Sequence, residues 1–448
     1  MFKASDRFFE AIRDSHTAVS KVEVYSADDE LLLDSSQLLV LDGNISVDRT
    51  SSTRRTASLK LTDVDRSITP RHAGDIFHPL SNNYIRIYRG INFGKVRVPQ
   101  TRTRRVLVNT TQPELPATEP IDAPYGHSMG SQVNRFTITP VGEYIQEDYI
   151  AWLEEDDLEL IPQGKFDIFD CDIDDTRDSL TIDLKLFDFA RKVERARLLR
   201  NHVVPAGTNF GTAIRDIIDQ GVPGLTYQFP QINFVTPRLV FGSSGDQEGG
   251  DRWKYARDMA EAIGHELFFD RNGNIRLQKT PVEREQPILW DYSEGDRATL
   301  LYVTRNLSKE DTYNHVVAVG ESTTNDEPVR GEAMDDDPSS PTYVGDPYGS
   351  GPYGAVPFFL RSNFIRTPEQ ATEAARAKLR QLQGTTEKMR IIITVNPAHD
   401  AGDRIRIVRR RSKLDCRFVM DSFNIPLEYS GPMNVTMRET RRITVGAS

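Results

Sequence analysis

The sequence predicts an α+β fold, mainly β, in which two β regions flank a smaller α/β unit. Three observations carry that expectation. RTASLKLTD (55–63) and SLTIDLKLF (179–187) alternate apolar and polar residues with the period of a half-buried strand. DRWKYARDMAEAIG (251–264) instead spaces Trp253, Ala256, Ala260 and Ile263 as one helical face. After it the strand pattern returns in MRIIITV, RIRIVRR, CRFVMDSFNI and PMNVTMRE.

The N-terminal β region begins at TAVSKVEVYS, where Val22 and Val24 alternate with Lys21 and Glu23. ADDE then turns the chain into LLLDSSQLLVL. KFDIFDCDI and SLTIDLKLF flank DDTRD as the arms of a hairpin. Leu180, Ile182, Leu184 and Leu186 keep one phase, but their partner strand slips: Phe166 and Ile168 share one phase, Phe169, Cys171 and Ile173 the other. A bulge, or a strand covered on both faces, accounts for that slip. KLFDFARKVERARL reads as a short closing helix. Residues 109–132, heavy in Pro, Thr, Ser and Gly, read as a long loop.

From residue 205 the pattern changes. GTNFGTAIRDIIDQG offers Thr208 or Asn209 as N-cap, a face of Ile214, Ile217 and Ile218, and Gly221 as stop. Gly264 closes the next helix in the left-handed position. ELFF and IRLQ flank Asn272-Gly273, a strong hairpin signal. The last β region opens with TYNHVVAVGE and a second long loop, 325–354. A helix at 367–383 follows, with Thr367 as cap, Pro368 in the first turn and Gln370 completing a capping box. Ala371, Ala374, Ala375, Leu379 and Leu382 form its apolar stripe. These breaks divide the chain into 1–204, 205–287 and 288–448.

A chain of 448 residues exceeds one ordinary core. Its net charge of −10 argues against a surface that grips nucleic-acid backbone, although DNA passing without adhering is compatible with it. Cys171 and Cys416 fit neither a disulfide framework nor a zinc motif. MFKASDRFFEAIRDSH lacks the apolar run of a secretory signal, and no window suits a membrane-spanning helix. Synthesis in a cytoplasm is therefore expected.

GHSMG (126–130) fits the nucleophile-elbow pattern, with Ser128 in the attacking position. An elbow needs a buried strand before the serine and a helix after it. Here LPATEPIDAPY precedes and SQVNRFTITP follows, so an irregular loop is the better reading. His202, His265, His315 and His399 follow in triad order, without distinctive context. DCDIDD (170–175) fails as a calcium loop because Asp175 and Thr181 stand where Gly and Glu are needed. DRNGN has Ile275 in the Gly position, and GHELF has Phe269 where a second metal-binding His belongs. Asp335, Asp336 and Asp337 read as a solvated acidic loop. Arg404, Arg406 and the run 409–411 form one charged strand face with no interleaved aromatics, which favours a solvated or subunit-facing strand over a nucleic-acid site. The sequence thus nominates no catalytic, cofactor-binding or metal-ligating residue, and no cofactor.

The succession WKYARDMAEAIGHELFFDRNGNIRLQ, RNLSKEDTYNHVVAVGE, TPEQATEAARAKLRQL, NPAHDAGDRIRIV and CRFVMDSFNIPLEYSGPMNVTMRET resembles the tail hub, or baseplate hub, proteins of long-tailed bacteriophages. RHAGDIFHPLSNNYIRIYRGI and LIPQGKFDIFDCDIDDTRDSLTIDLKLFDFARKVERA look like the N-terminal tube-forming domain of tail-tip proteins from phages of actinobacteria. The resemblance implies two barrel-like β domains forming a tube segment, with the α/β domain between them. It implies a non-enzymatic virion protein of the tail tip: a homotrimeric ring that caps the tail tube, organises tip assembly and lines the DNA exit channel. Its implied partners are a distal tail protein, a tape-measure protein and other tail-tip or fibre proteins, with phage DNA only in transit. Two alternatives stay open: another tail-tip component (a distal tail protein or a receptor-binding base) and, less favoured, a serine hydrolase using Ser128.

Overall fold

The computed structural model describes residues 1–110, 142–242, 250–280, 286–295, 298–310, 312–320, 328–346, 348–362, 365–382 and 387–439. The chain opens with α1 (Asp6–Ile12), β1 (Thr17–Tyr25), β2 (Leu31–Leu33), β3 (Leu39–Asp48) and β4 (Arg55–Thr62). Two long strands follow, β5 (Tyr84–Thr110) and β6 (Gly142–Asp175), then β7 (Leu180–Phe187) and α2 (Ala190–Arg195). The middle holds β8 (His202–Val204), α3 (Phe210–Asp219), β9 (Tyr227–Gln228), β10 (Leu239–Phe241), α4 (Arg252–Ala262), β11 (His265–Phe269) and β12 (Ile275–Lys279). Next come β13 (Trp290–Ser293), β14 (Leu300–Leu307), β15 (His315–Val319), β16 (Arg330–Met334) and β17 (Pro357–Arg361). α5 (Pro368–Leu382), β18 (Glu387–Ile393), β19 (Arg404–Arg409), β20 (Leu414–Pro426) and β21 (Met433–Glu439) complete the order. The fold is mainly β, as expected.

The two β regions are not separate sheets. A 13-stranded sheet runs β14-β18-β21-β20-β3-β4-β7-β6-β5-β1-β2, with β19 paired to β20 and β13 to β19. Its described pairings leave the path open and close no barrel. β20 is the pivot. Opposite β21, it pairs first with β19 (Arg404↔Val419 to Arg409↔Leu414) and then with β3 (Ser422↔Asp48 to Pro426↔Asn44). An irregularity between Met420 and Ser422 shifts its buried phase from Leu414, Cys416, Phe418 and Met420 to Phe423 and Ile425. The β6–β7 hairpin slips likewise between Ile168 and Asp170, so the bulge is the correct account of that phase change.

The α/β core gathers Ile214, Ile217 and Ile218 of α3 with Trp253, Ala256, Met259 and Ala260 of α4. Asn209, not Thr208, caps α3 by accepting from the Gly211 amide at 2.9 Å. Gly264 follows α4 with φ +70°, the left-handed geometry expected of it. Asp270 accepts from the Asn272 and Asn274 amides, each at 2.9 Å, and so shapes the β11–β12 turn. The capping box of α5 is present: the Gln370 amide donates to Thr367 Oγ1 at 3.2 Å, and Gln370 Oε1 accepts from the Thr367 amide at 3.3 Å.

The segment 325–354 departs from a simple loop, because β16 pairs with β15 inside it. Its RGEAM sequence hides that strand: Gly331 and Ala333 meet α5 where larger apolar residues would advertise a strand. Residues 111–141, including GHSMG, lie outside the described residues. The chain forms two compact units, Met1–Asn92 with Glu159–Ser448 and Phe93–Leu158. The second holds residues 93–110 of β5 and 142–158 of β6, with Arg97 Nε 3.6 Å from Glu154 Oε1.

The Ala-rich face of α5 has a physical purpose: small residues let the helix lie against the sheet of β15, β16 and β17. A Cβ on Gly331 would stand 2.4 Å from the Thr372 backbone nitrogen and 2.6 Å from the Ala371 carbonyl carbon. Gly331→Ala should therefore force α5 away and cost about 1–3 kcal/mol of stability, as overpacking does. Chemical denaturation measures it; an unchanged midpoint would contradict this contact.

Candidate functional site

Among the described residues, a dense knot of charge lies where three distant stretches meet. Arg54 and Arg55 stand at the start of β4, Arg271 in the β11–β12 turn, and His399, Asp400 and Asp403 in the turn before β19. Gly402, with φ +97°, lets that turn reverse into the strand. Asp400 is the common partner: its Oδ1 lies 2.5 Å from Arg55 Nη2 and 3.9 Å from Arg54 Nη2, its Oδ2 3.5 Å from Arg271 Nη2. Arg55 also donates to the Gln163 carbonyl at 3.0 Å, and Arg271 to the His399 carbonyl at 2.9 Å. Burial pushes the Asp400 carboxyl up, but Arg55, Arg271 and Arg54 outweigh it and hold it well below the usual carboxylate range.

Around this knot several polar groups are matched, while Arg54 Nε, Arg55 Nε and Gln163 Oε1 find no partner among the described residues. Asp403 Oδ2 accepts from the Asp400 amide at 2.9 Å and stands 3.1 Å from His399 Nδ1. His399 Nε2 is 2.8 Å from Tyr292 Oη, and both side chains are fully buried. The Met1 amino group contacts Asp403. A Tyr–His–Asp chain sealed from solvent orients the turn; it offers no nucleophile to a substrate. Arg49 meets Glu266 through two contacts, at 2.5 and 3.2 Å. Asp188 is buried and accepts from the Arg55 amide at 2.8 Å and the Ala190 amide at 3.0 Å. Arg89, also buried, donates to the Leu427 and Glu428 carbonyls at 3.1 and 2.7 Å, tying β5 to the turn after β20. Burial lowers it to about 10.

The motifs weighed from sequence take structural places. Asp170 and Asp172 flank Lys185 at 2.9 and 3.2 Å. His265 Nδ1 is 2.8 Å from its neighbour's carbonyl at Ile263, and His315 Nε2 is 3.1 Å from Glu332. Asp335 is buried and accepts from Thr342 Oγ1 at 2.6 Å, so it is no solvated loop residue. Ile405 and Ile407 point inward, while Arg406 pairs with Asp415 at 2.8 Å and Arg404 donates to the Gln286 carbonyl at 2.7 Å. Burial, helped by Asp172 and Asp170, raises the Cys171 thiol to about 11, which keeps it protonated at neutral pH. Among the described residues no group of three His, Cys, Asp or Glu side chains could hold a metal ion. The knot itself was missed because its members lie up to 346 residues apart, from Arg54 to Asp400; the Arg-Arg pair was the one local sign.

No protein-family model matches the sequence, and no curated protein does. Among solved structures, the tail protein from Neisseria meningitidis MC58 is similar, with TM-score 0.53 and 10% identity over 95% of this chain and 98% of that one. The 43 kDa tail protein of prophage MuSo2 from Shewanella oneidensis gives TM-score 0.50 and 10% identity over 95% of this chain and 100% of its own. The likeness is one of fold.

Burial pushes the Asp188 carboxyl up to about 7, against the opposing pull of the Arg55 and Ala190 amides. The folded state thus binds this proton more tightly than the unfolded chain, whose carboxyl titrates near 4. The stability contributed is full below about pH 4 and is lost as pH rises through about 7. Between about pH 4.5 and 7.5, the wild type should lose stability relative to Asp188→Asn. Urea midpoints at both pH values measure this, and a constant difference would contradict it.

Proposed function

We propose that this chain is a structural protein of a phage-type tail, acting as the hub of the tail tip or baseplate. The observation that carries the reading is the two-way overlap of fold with two tail proteins, nearly complete in both chains. In this reading three copies form a ring that caps the tail tube, organises the tip and lines the DNA exit channel. Distal tail, tape-measure and fibre proteins are its partners, and the virion tail tip is its location. The segments 1–204, 205–287 and 288–448 act as its building blocks. The net charge of −10 suits a wall past which phosphate slides without adhering.

The open sheet supports assembly through strand edges. β14 is an end strand, and Leu301 and Tyr302 on it are 55% and 56% exposed. Phe359 on β17, itself an outer strand, is also exposed. Barrel closure in this reading is a property of the ring, each copy covering its neighbour's edge. A distal tail protein or receptor-binding base would share the location, but the helix–hairpin unit flanked by β strands favours the hub. The hydrolase reading depends on Ser128 alone.

Sedimentation velocity of the purified chain, alone and with its tail partners, tests the proposal. A trimer in either sample is expected; a monomer in both would count against the ring. In parallel, stoichiometric fluorophosphonate labelling lost in Ser128→Ala would favour the hydrolase.

A further inference from the structure

A cavity of about 540 Å³ opens beside the knot and shares Arg54 with it. Its walls come from the turn 50–52, the polar side of α4, the outward face of β11, Lys378 of α5 and Arg438 of β21. Six Lys or Arg side chains line it, Arg49, Arg54, Lys254, Arg257, Lys378 and Arg438, against five carboxylates. Each carboxylate is already engaged. Glu266 is held by Arg49 at 2.5 Å and Glu261 by Lys378 at 3.3 Å. Asp258 lies 3.1 Å from Lys254, and Glu194 2.7 Å from Arg191, which stands outside the lining. Asp251 caps α4 by accepting from the Lys254 amide at 3.0 Å, with Arg197, also outside the lining, 3.6 Å away.

The cations are not all engaged. Arg257 makes no hydrogen bond or ion pair among the described residues. Arg54 is 7% exposed, and its Nε finds no acceptor among the described residues. Its guanidinium lies 4.0 Å from the Phe268 ring centroid, so an aromatic face, not an anion, covers one side. Burial holds Arg54 below its ordinary range, with Asp400 the chief opposing influence. Arg54 Nη2 donates to the Ala401 carbonyl at 2.5 Å, so the Nε–H is the donor left unmatched; an unmatched buried donor is costly, and an oxyanion supplies its acceptor.

We infer that this cavity binds a compact oxyanion, a carboxylate or a phosphate, between Arg257 and Arg54. The aromatic wall of Phe268 and Trp253 and the hydroxyls of Thr50, Ser51 and Ser52 frame the remaining space. The inference stands apart from the tail reading, because it needs only this chain's own cavity.

Isothermal titration of the full chain with inorganic phosphate and, separately, with succinate tests it, ionic strength being held constant with sodium chloride. Saturable binding of at least one probe is expected, weakened about tenfold by Arg257→Gln, the loss of one charged hydrogen bond. Arg257 has no hydrogen-bond or ion-pair partner among the described residues, so its removal should leave folding intact. Ser51→Glu, which adds an opposing charge on an exposed turn, should weaken binding as well. Phosphate alone would identify phosphate esters as the natural source; succinate alone would identify a polypeptide or small-molecule carboxylate. No saturable heat with either probe, or binding that both variants leave unchanged, would overturn the inference.

Discussion

The antiparallel contact of β3 with β20 is the constraint on which the rest depends. Five residue pairs join Asn44–Asp48 to Ser422–Pro426, across more than 370 positions of sequence. Without that contact the sheet would fall into an N-terminal and a C-terminal half, each with a new exposed edge. Closing so long a loop costs entropy that grows only slowly with length, and the burial of Ile45, Val47, Phe423 and Ile425 offsets it. Charge reinforces the same seam. Arg55 on β4 meets Asp400 before β19, and Arg89 on β5 holds the turn that follows β20.

The two devices differ in kind. Apolar burial along the seam is favourable and tolerant of exchange. The Arg54–Arg55–Arg271–Asp400 knot is specific: three guanidiniums around one carboxylate repay their desolvation only in the assembled geometry. Losing one partner leaves buried charge uncompensated, whereas losing a methyl group leaves a small void. The knot therefore acts as a register pin for turns that the β pairing alone would leave loose.

Local physics was legible in the sequence. Asn272-Gly273, the Thr367–Gln370 box, Gly264 and the phase slip near Phe169 each depend on a few neighbouring residues, and each takes its expected form. Non-local physics was not. Period two identifies CRFVMDSFNI as a strand but says nothing of its partner. Hence two β regions were expected where one sheet exists. β16 escaped because its inward positions are Gly331 and Ala333, chosen for close approach by α5. α1 went unread although Ser5 Oγ, accepting from the Phe8 amide at 3.2 Å, is a local cap: seven residues with only Phe8 and Ile12 buried are too few to show a helical period. Of the candidate chemistry, the knot and the cavity beside it required the fold.

The central claim is that the seam makes the two ends of the chain one cooperative unit. Native-state hydrogen exchange measures it directly. The amides of Ile45 and Val47 in β3 and of Phe423 and Ile425 in β20 should open together, with one free energy and one denaturant dependence. Two separate openings, with the C-terminal strands exchanging while β3 and β4 stay protected, would contradict the account.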